Sequence, residues 1–141
     1  MLLDGETQFS NRQAITATVA STNTIDLGDT GTRPWSGVKL TRDIGGWVED
    51  LLVQVTQDFV GGTSVQVQIQ TDDNSAFSSA TTVGQTAAIP VASLKAGYRF
   101  SLADFPVGTS ERFVRLNYVV VGTPTAGTIT AAVTSGVDRR V

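Results

Sequence analysis

The chain has 141 residues, a formal net charge of −3, only 16% charged residues, and neither cysteine nor histidine, so its length fits one domain and disulfides, thiol nucleophiles, thiolate metal sites and serine–histidine catalysis are all excluded. A sequence pI near 4.7 with scattered arginines gives no attractive field for a phosphate backbone, which argues against nucleic acid as a partner. The longest apolar runs, such as Val119-Val120-Val121, fall far short of the roughly 20 residues of a membrane helix, and Asp4 interrupts any signal-peptide core, so a soluble, unexported domain with no membrane partner is expected.

Residues 1–13 are polar after the opening leucines and read as a frayed end or an arm that orders on a partner. Strand character follows at residues 14–20 and 24–27. Residues 28–46 then form a long loop, interrupted by Gly28, Gly31, Pro34, Gly37, Gly45 and Gly46 and carrying Arg33, Trp35, Lys39 and Arg42. A loop of that length is uncommon unless it has a task.

Residues 48–59 and 64–71 alternate apolar and polar with a period of two, which marks strands with one buried face. Gly61-Gly62 between them predicts a tight β-hairpin, because glycine reaches positive φ without a Cβ clash. Shorter strands are expected at 81–83, 86–90 and 97–102, and a long one at 112–121 whose Val114, Leu116, Tyr118 and Val120 make one face wholly apolar. Residues 122–127 connect it to a last strand at 128–135, predicting a C-terminal hairpin. Pro106 and Pro124, which cannot donate ladder hydrogen bonds, belong in connections. Short strands between turn signals, with almost no helix and no internal repeat, indicate an all-β sandwich or barrel filling a single domain over 1–141.

Few residues look chemical. Asp72-Asp73-Asn74-Ser75 has closely spaced oxygen ligands but lacks the ligand series of a calcium loop, and an Asx turn is the expected reading. Glu49-Asp50, or Asp26 with Asp29, could suggest a carboxylate pair, yet neighbours on a strand face opposite ways and no aromatic platform accompanies them. No acid–base constellation can be assembled, so neither an enzyme, a cofactor nor a metal site is expected. Trp47, just before a strand, reads as core, whereas Trp35 sits amid Gly, Pro and Ser as an interface anchor or sugar platform. Arg139-Arg140 reads as a solvated end. The candidate partner-binding residues are Leu2, Leu3, Phe9, Arg12, Arg33, Trp35, Lys39 and Arg42, on the N-terminal segment and the long loop.

Several blocks taken in order, Phe9-Ser-Asn-Arg-Gln-Ala14, Ala20-Ser-Thr-Asn-Thr-Ile-Asp-Leu-Gly28, Arg42-Asp-Ile-Gly45, Val53-Gln-Val-Thr-Gln-Asp-Phe59, Gln70-Thr-Asp-Asp-Asn-Ser-Ala-Phe77, Leu94-Lys-Ala-Gly-Tyr98 and Arg115-Leu-Asn-Tyr118, resemble the Bbp16-like capsid cement proteins of tailed bacteriophages. The resemblance runs collinearly from about residue 1 to residue 135. It implies a jelly-roll-like antiparallel β-sandwich, made in the host cytoplasm, that binds as a homotrimer to the outer surface of a capsid. There it would sit at three-fold and quasi-three-fold positions and staple subunits of the major capsid protein. The alternative reading is a carbohydrate- or receptor-binding β-sandwich on the virion surface that uses Trp35.

Overall fold

The computed structural model describes residues 3–29, 50–102, 105–106 and 109–134. Its strands, in chain order, are β1 (Gln8–Ala14), β2 (Val19–Ala20), β3 (Ile25–Asp26), β4 (Asp50–Val60), β5 (Ser64–Asp72), β6 (Thr81–Gln85), β7 (Ile89–Pro90), β8 (Phe113–Val121) and β9 (Ala126–Thr134), with one 3-10 turn at Val91–Ser93. All pairings are antiparallel. They form a smaller sheet in the order β1-β9-β4 and a larger one in the order β2-β8-β5-β6, to which β3 and β7 add on β8 and β5. The all-β sandwich expected from the sequence is the fold.

The two inner faces share one core. Val53, Val55, Ile129 and Ala131 of the smaller sheet pack in the same buried cluster as Val65, Val67, Ile69, Val114, Leu116 and Tyr118 of the larger one. Period-two alternation put these side chains on one face of each strand, and burial of that face is the main favourable term in folding. Phe9, Phe59, Leu94, Phe100 and Phe105 fill the space between and around the sheets.

Two expectations about connectivity are corrected. The Gly61-Gly62 turn does not make a hairpin, because β4 lies in the smaller sheet and β5 in the larger. Nor do β8 and β9 form one, for the same reason. Each connection is an arch that carries the chain from one sheet across the core to the other. Since β4 pairs β9 and β5 pairs β8, the two arches stack, joined by Thr63 N–H to Val121 O at 2.8 Å and Thr125 N–H to Val60 O at 2.7 Å. Glycine is required for this stacking: a Cβ on Gly122 would sit 2.7 Å from Gly62 Cα, and one on Gly62 would sit 2.9 Å from the Pro124 ring. Alternation alone cannot separate a hairpin from an arch, because both bury the same residues.

The N-terminal arm is also corrected. Residues 8–13 are part of β1, an edge strand on β9, held by the burial of Phe9 and Ser10, while the strand expected over 14–20 is divided into the end of β1 and the two-residue β2. The strand expected over 97–102 is reduced to a single bridge between Gln54 and Arg99. It still lies along β4, with backbone bonds from Val55 N–H to Tyr98 O, Gly97 N–H to Val55 O and Phe100 N–H to Val53 O. The long loop over 28–46 lies outside the described residues beyond Asp29, as do Trp35, Trp47 and Arg139-Arg140.

Candidate functional site

The outward face of the larger sheet is built from alternate residues of three long-range partners. Register places Gln66 beside Val119, Gln68 beside Asn117 and Gln70 beside Arg115 on β5 and β8, with Gln85 and Thr82 of β6 flanking Gln68 and Gln70. These are the residues left outside when Val65, Val67, Ile69, Leu116 and Tyr118 turn inward.

The amides bond to one another across the strands. Asn117 Nδ2 donates to Gln68 Oε1 at 3.1 Å, and Gln68 Nε2 donates to Gln85 Oε1 at 3.2 Å, a relay running from β8 through β5 to β6. Gln66 Nε2 donates to Thr86 O at 2.8 Å. Arg115 Nε donates to Gln70 Oε1 at 3.0 Å, and its guanidinium stacks 4.2 Å above the buried ring of Phe77. The result is a surface of pre-positioned donors and acceptors with one held cation. Such a face can meet a protein surface without the desolvation cost of many charges and with little further loss of side-chain freedom.

One end of the face is fixed by ion pairs and carboxylate caps. Arg112 grips Asp26 with both arms of its fork, Nε to Oδ1 at 2.8 Å and Nη2 to Oδ2 at 3.0 Å, and reaches Asp29 Oδ1 through Nη1 at 2.7 Å. A hydrogen bond from that guanidinium to Asp26 raises the pKa of Arg112, and the pair ties β3 to the start of β8. Arg112 N–H also donates to Asp73 Oδ1 at 3.1 Å. The adjoining Asp72 carboxylate accepts from Asn74 N–H at 3.0 Å, from Ser79 N–H at 2.8 Å and from the Ser79 hydroxyl. The Asn74 N–H, ahead of the Ser79 donors, holds the Asp72 carboxyl below the usual carboxylate range. This is the Asx turn expected from the sequence: Asn74 Oδ1 repeats the pattern by accepting from Ala76 N–H at 2.9 Å. No group of three or more acidic, histidine or cysteine side chains that could hold a metal is present among the described residues.

The structure separates the partner-binding candidates named from the sequence. Phe9 is fully buried in the core and is corrected: its ring packs between the sheets and is not available to a partner. Leu3 is 45% exposed, and Arg12 is exposed at the bulged part of β1, with φ of 48° and its N–H donating to Thr130 Oγ1 at 3.0 Å. Leu2, Arg33, Trp35, Lys39 and Arg42 lie outside the described residues. The amide face itself was missed, although part of its signal was in plain view: Gln66, Gln68 and Gln70 alternate with Val65, Val67 and Ile69 along β5.

None of the curated proteins compared with the chain matches it. The family model of Bbp16, in contrast, matches residues 9–133, a span that takes in every strand from the buried Phe9 to the middle of the smaller sheet. With the fold, the register of its two sheets and this match together, the chain belongs to the Bbp16 family and is a phage-related protein of all-β sandwich architecture.

Proposed function

We propose that this protein is a structural cement or decoration protein of a tailed-phage virion, a non-enzymatic trimer that binds the major capsid protein on the outer surface of the shell at three-fold and quasi-three-fold positions. The observation that carries the reading is the amide face of β8, β5 and β6, uncharged except for Arg115 and already hydrogen-bonded to itself; family membership directs it to a phage particle. A cement protein requires a rigid body and several contacts made together, and no reactive group. If each protomer held the shell at about 10 μM and the effective concentration within a trimer were about 1 mM, three joint contacts would give roughly nanomolar binding. Three-fold symmetry also lets one patch engage three capsid subunits.

The test is co-sedimentation with expanded shells that lack the protein, followed by heating and scoring of DNA release. Saturable binding in multiples of three with a raised breakage temperature supports cementing, and binding without stabilisation reduces the role to decoration. Gln68→Glu together with Asn117→Asp places two like charges in register and is expected to weaken shell binding while the fold persists. Absence of shell binding by the unaltered protein rejects the proposal.

A further inference from the structure

Arg112 gives its fork to Asp26 and Asp29, and Lys95 pairs with Asp58. Arg115 is held as firmly, yet among the described residues no carboxylate pairs with it. Its Nε donates to Gln70 Oε1 at 3.0 Å, and its guanidinium carbon lies 4.2 Å from the centroid of the Phe77 ring. The two Nη groups, which carry most of the guanidinium donors, meet no acceptor among the described residues. Gln70 uses its carbonyl oxygen in the bond to Arg115, which leaves its N–H₂ group to offer beside them.

The platform under this cation is bought with backbone strain. Phe77 has a φ of 51°, a left-handed conformation that a bulky side chain adopts only where its surroundings enforce it. The enforcing turn is tied by Phe77 N–H to Asn74 O at 2.9 Å and by the Asp72 carboxylate, which accepts from Asn74 N–H and Ser79 N–H. Phe77 is buried but stands outside the cluster that fills the space between the sheets. Its ring serves the guanidinium rather than the core. A fork fixed at Nε and stacked on a ring has few conformations left to lose when it binds an anion.

We propose that Arg115 is the anchor of the amide face and receives one carboxylate side chain, Asp or Glu, from the protein on which that face docks; that this protein is the capsid subunit rests on the function proposed above. A carboxylate matches the paired donors of the fork, and covering the face removes the water that weakens ion pairs at an open surface. The surroundings limit the incoming charge. Gln68, Gln70 and Asn117 are neutral, Asp72 follows Gln70 on the same side of β5, and the chain carries a net charge of −3. A phosphate chain would bring negative charge that nothing here neutralises.

Two measurements test this. In the first, side-chain nitrogen NMR follows Arg115 Nε and Gln70 Nε2 while acetate replaces chloride at equal ionic strength. Both signals are expected to shift, and the Gln70 response is expected to vanish in Arg115→Gln, which alters only the outward face. In the second, co-sedimentation compares native shells with shells whose surface carboxylates have been amidated with carbodiimide and methylamine. Arg115→Gln is expected to weaken binding to native shells at least about tenfold, and Arg115→Lys, which keeps the charge without the fork, to recover only part of it. Amidation is expected to weaken the unaltered protein by a similar factor and Arg115→Gln by little more. No acetate response, a larger response to inorganic phosphate, or shell binding unchanged in Arg115→Gln overturns the proposal. An acetate response in a protein that binds no shells upholds the carboxylate site and rejects the capsid as its partner.

Discussion

The hydroxyl of Tyr118 lies 2.8 Å from Oγ of Ser10, a hydrogen bond that crosses the core from the larger sheet to the smaller. Ser10 also donates to Gln13 Oε1 at 2.7 Å, and Gln13 in turn accepts from Thr22 N–H and donates to Ala20 O. Both Ser10 and Tyr118 are fully buried, so the two sheets are pinned at a polar point within an apolar interior. Ser10→Ala strands the phenol without a partner and is expected to cost about 1–3 kcal/mol, whereas Tyr118→Phe leaves Ser10 bonded to Gln13 and should cost about 1 kcal/mol. Urea unfolding of both variants checks the order; equal losses would contradict it.

The same phenol predicts sensitivity to alkali. Burial pushes the Tyr118 pKa up, and the bond to Ser10 offsets this only in part. Because the folded value lies above the unfolded value near 10, the contribution of the neutral phenol is fully present below about pH 10 and is lost as pH rises toward the folded value. Stability measured between about pH 9 and 11 should fall more steeply for the unaltered protein than for Tyr118→Phe.

Asp72 predicts the opposite flank. Its folded pKa is depressed below the unfolded value of 3.8 by the N–H donors of Asn74 and Ser79, so its contribution is present above that value and is lost as pH falls through the folded one. Asp72→Asn keeps one acceptor but sets an amide N–H₂ against the donors of Ser79. Acid titration of thermal stability should show a shallower slope below about pH 4 in the variant.

Glycine replacements separate strain from collision. Gly122→Ala meets backbone atoms of Gly62 and Thr63 at 2.7 and 2.9 Å, and Gly127→Ala meets the Phe59 ring at 2.5 Å. Each should lose about 3 kcal/mol or more, the sum of a positive φ and an overpacked contact. Gly97→Ala carries a similar φ of 94° with open space around it, and only the backbone cost of about 1–2 kcal/mol is expected. Chemical denaturation of the three proteins provides the comparison.

Arg112→Gln removes the fork to Asp26 and the bond to Asp29. The variant should unfold at a lower temperature than the parent, and the gap between them should narrow in high salt, since screening weakens the parent's exposed pairs alone. A gap that is independent of salt would mean that the guanidinium acts by packing on Phe113, whose ring centroid lies 5.1 Å away.

Strand positions were legible in the sequence wherever burial enforces period two. Val65, Val67 and Ile69, and Val114, Leu116 and Tyr118, are all fully buried as their alternation required. Partnership between strands was not legible, because Gly61-Gly62 permits a sharp reversal within one sheet or between two, and only the stacking of Pro124 and Gly122 on it selects the second. β1 was concealed by polar residues that serve inside: Ser10 and Gln13 read as surface until Tyr118 is seen to need them. For the amide face, the alternation of Gln66, Gln68 and Gln70 showed the strip on β5, but the residues that flank it, Asn117 and Arg115 among them, depended on the register of β5 with β8, which no local pattern encodes.

The paired arches also set an order of events during synthesis. The middle of the larger sheet includes β8 and the middle of the smaller is β9, so β1 to β4 have no partner strand until these later strands leave the ribosome. Until residue 121 has emerged, β5 has only the short β6 and β7, and until residue 134 has emerged, β1 and β4 have no shared neighbour. At translation rates of about 5–20 residues per second, the upstream two-thirds of the sandwich spends several seconds as an open chain with its valines unpaired. A nascent chain arrested ahead of β8 should therefore be a substrate for chaperones and proteases rather than a partly built subunit, and assembly into any larger structure begins only with the completed chain.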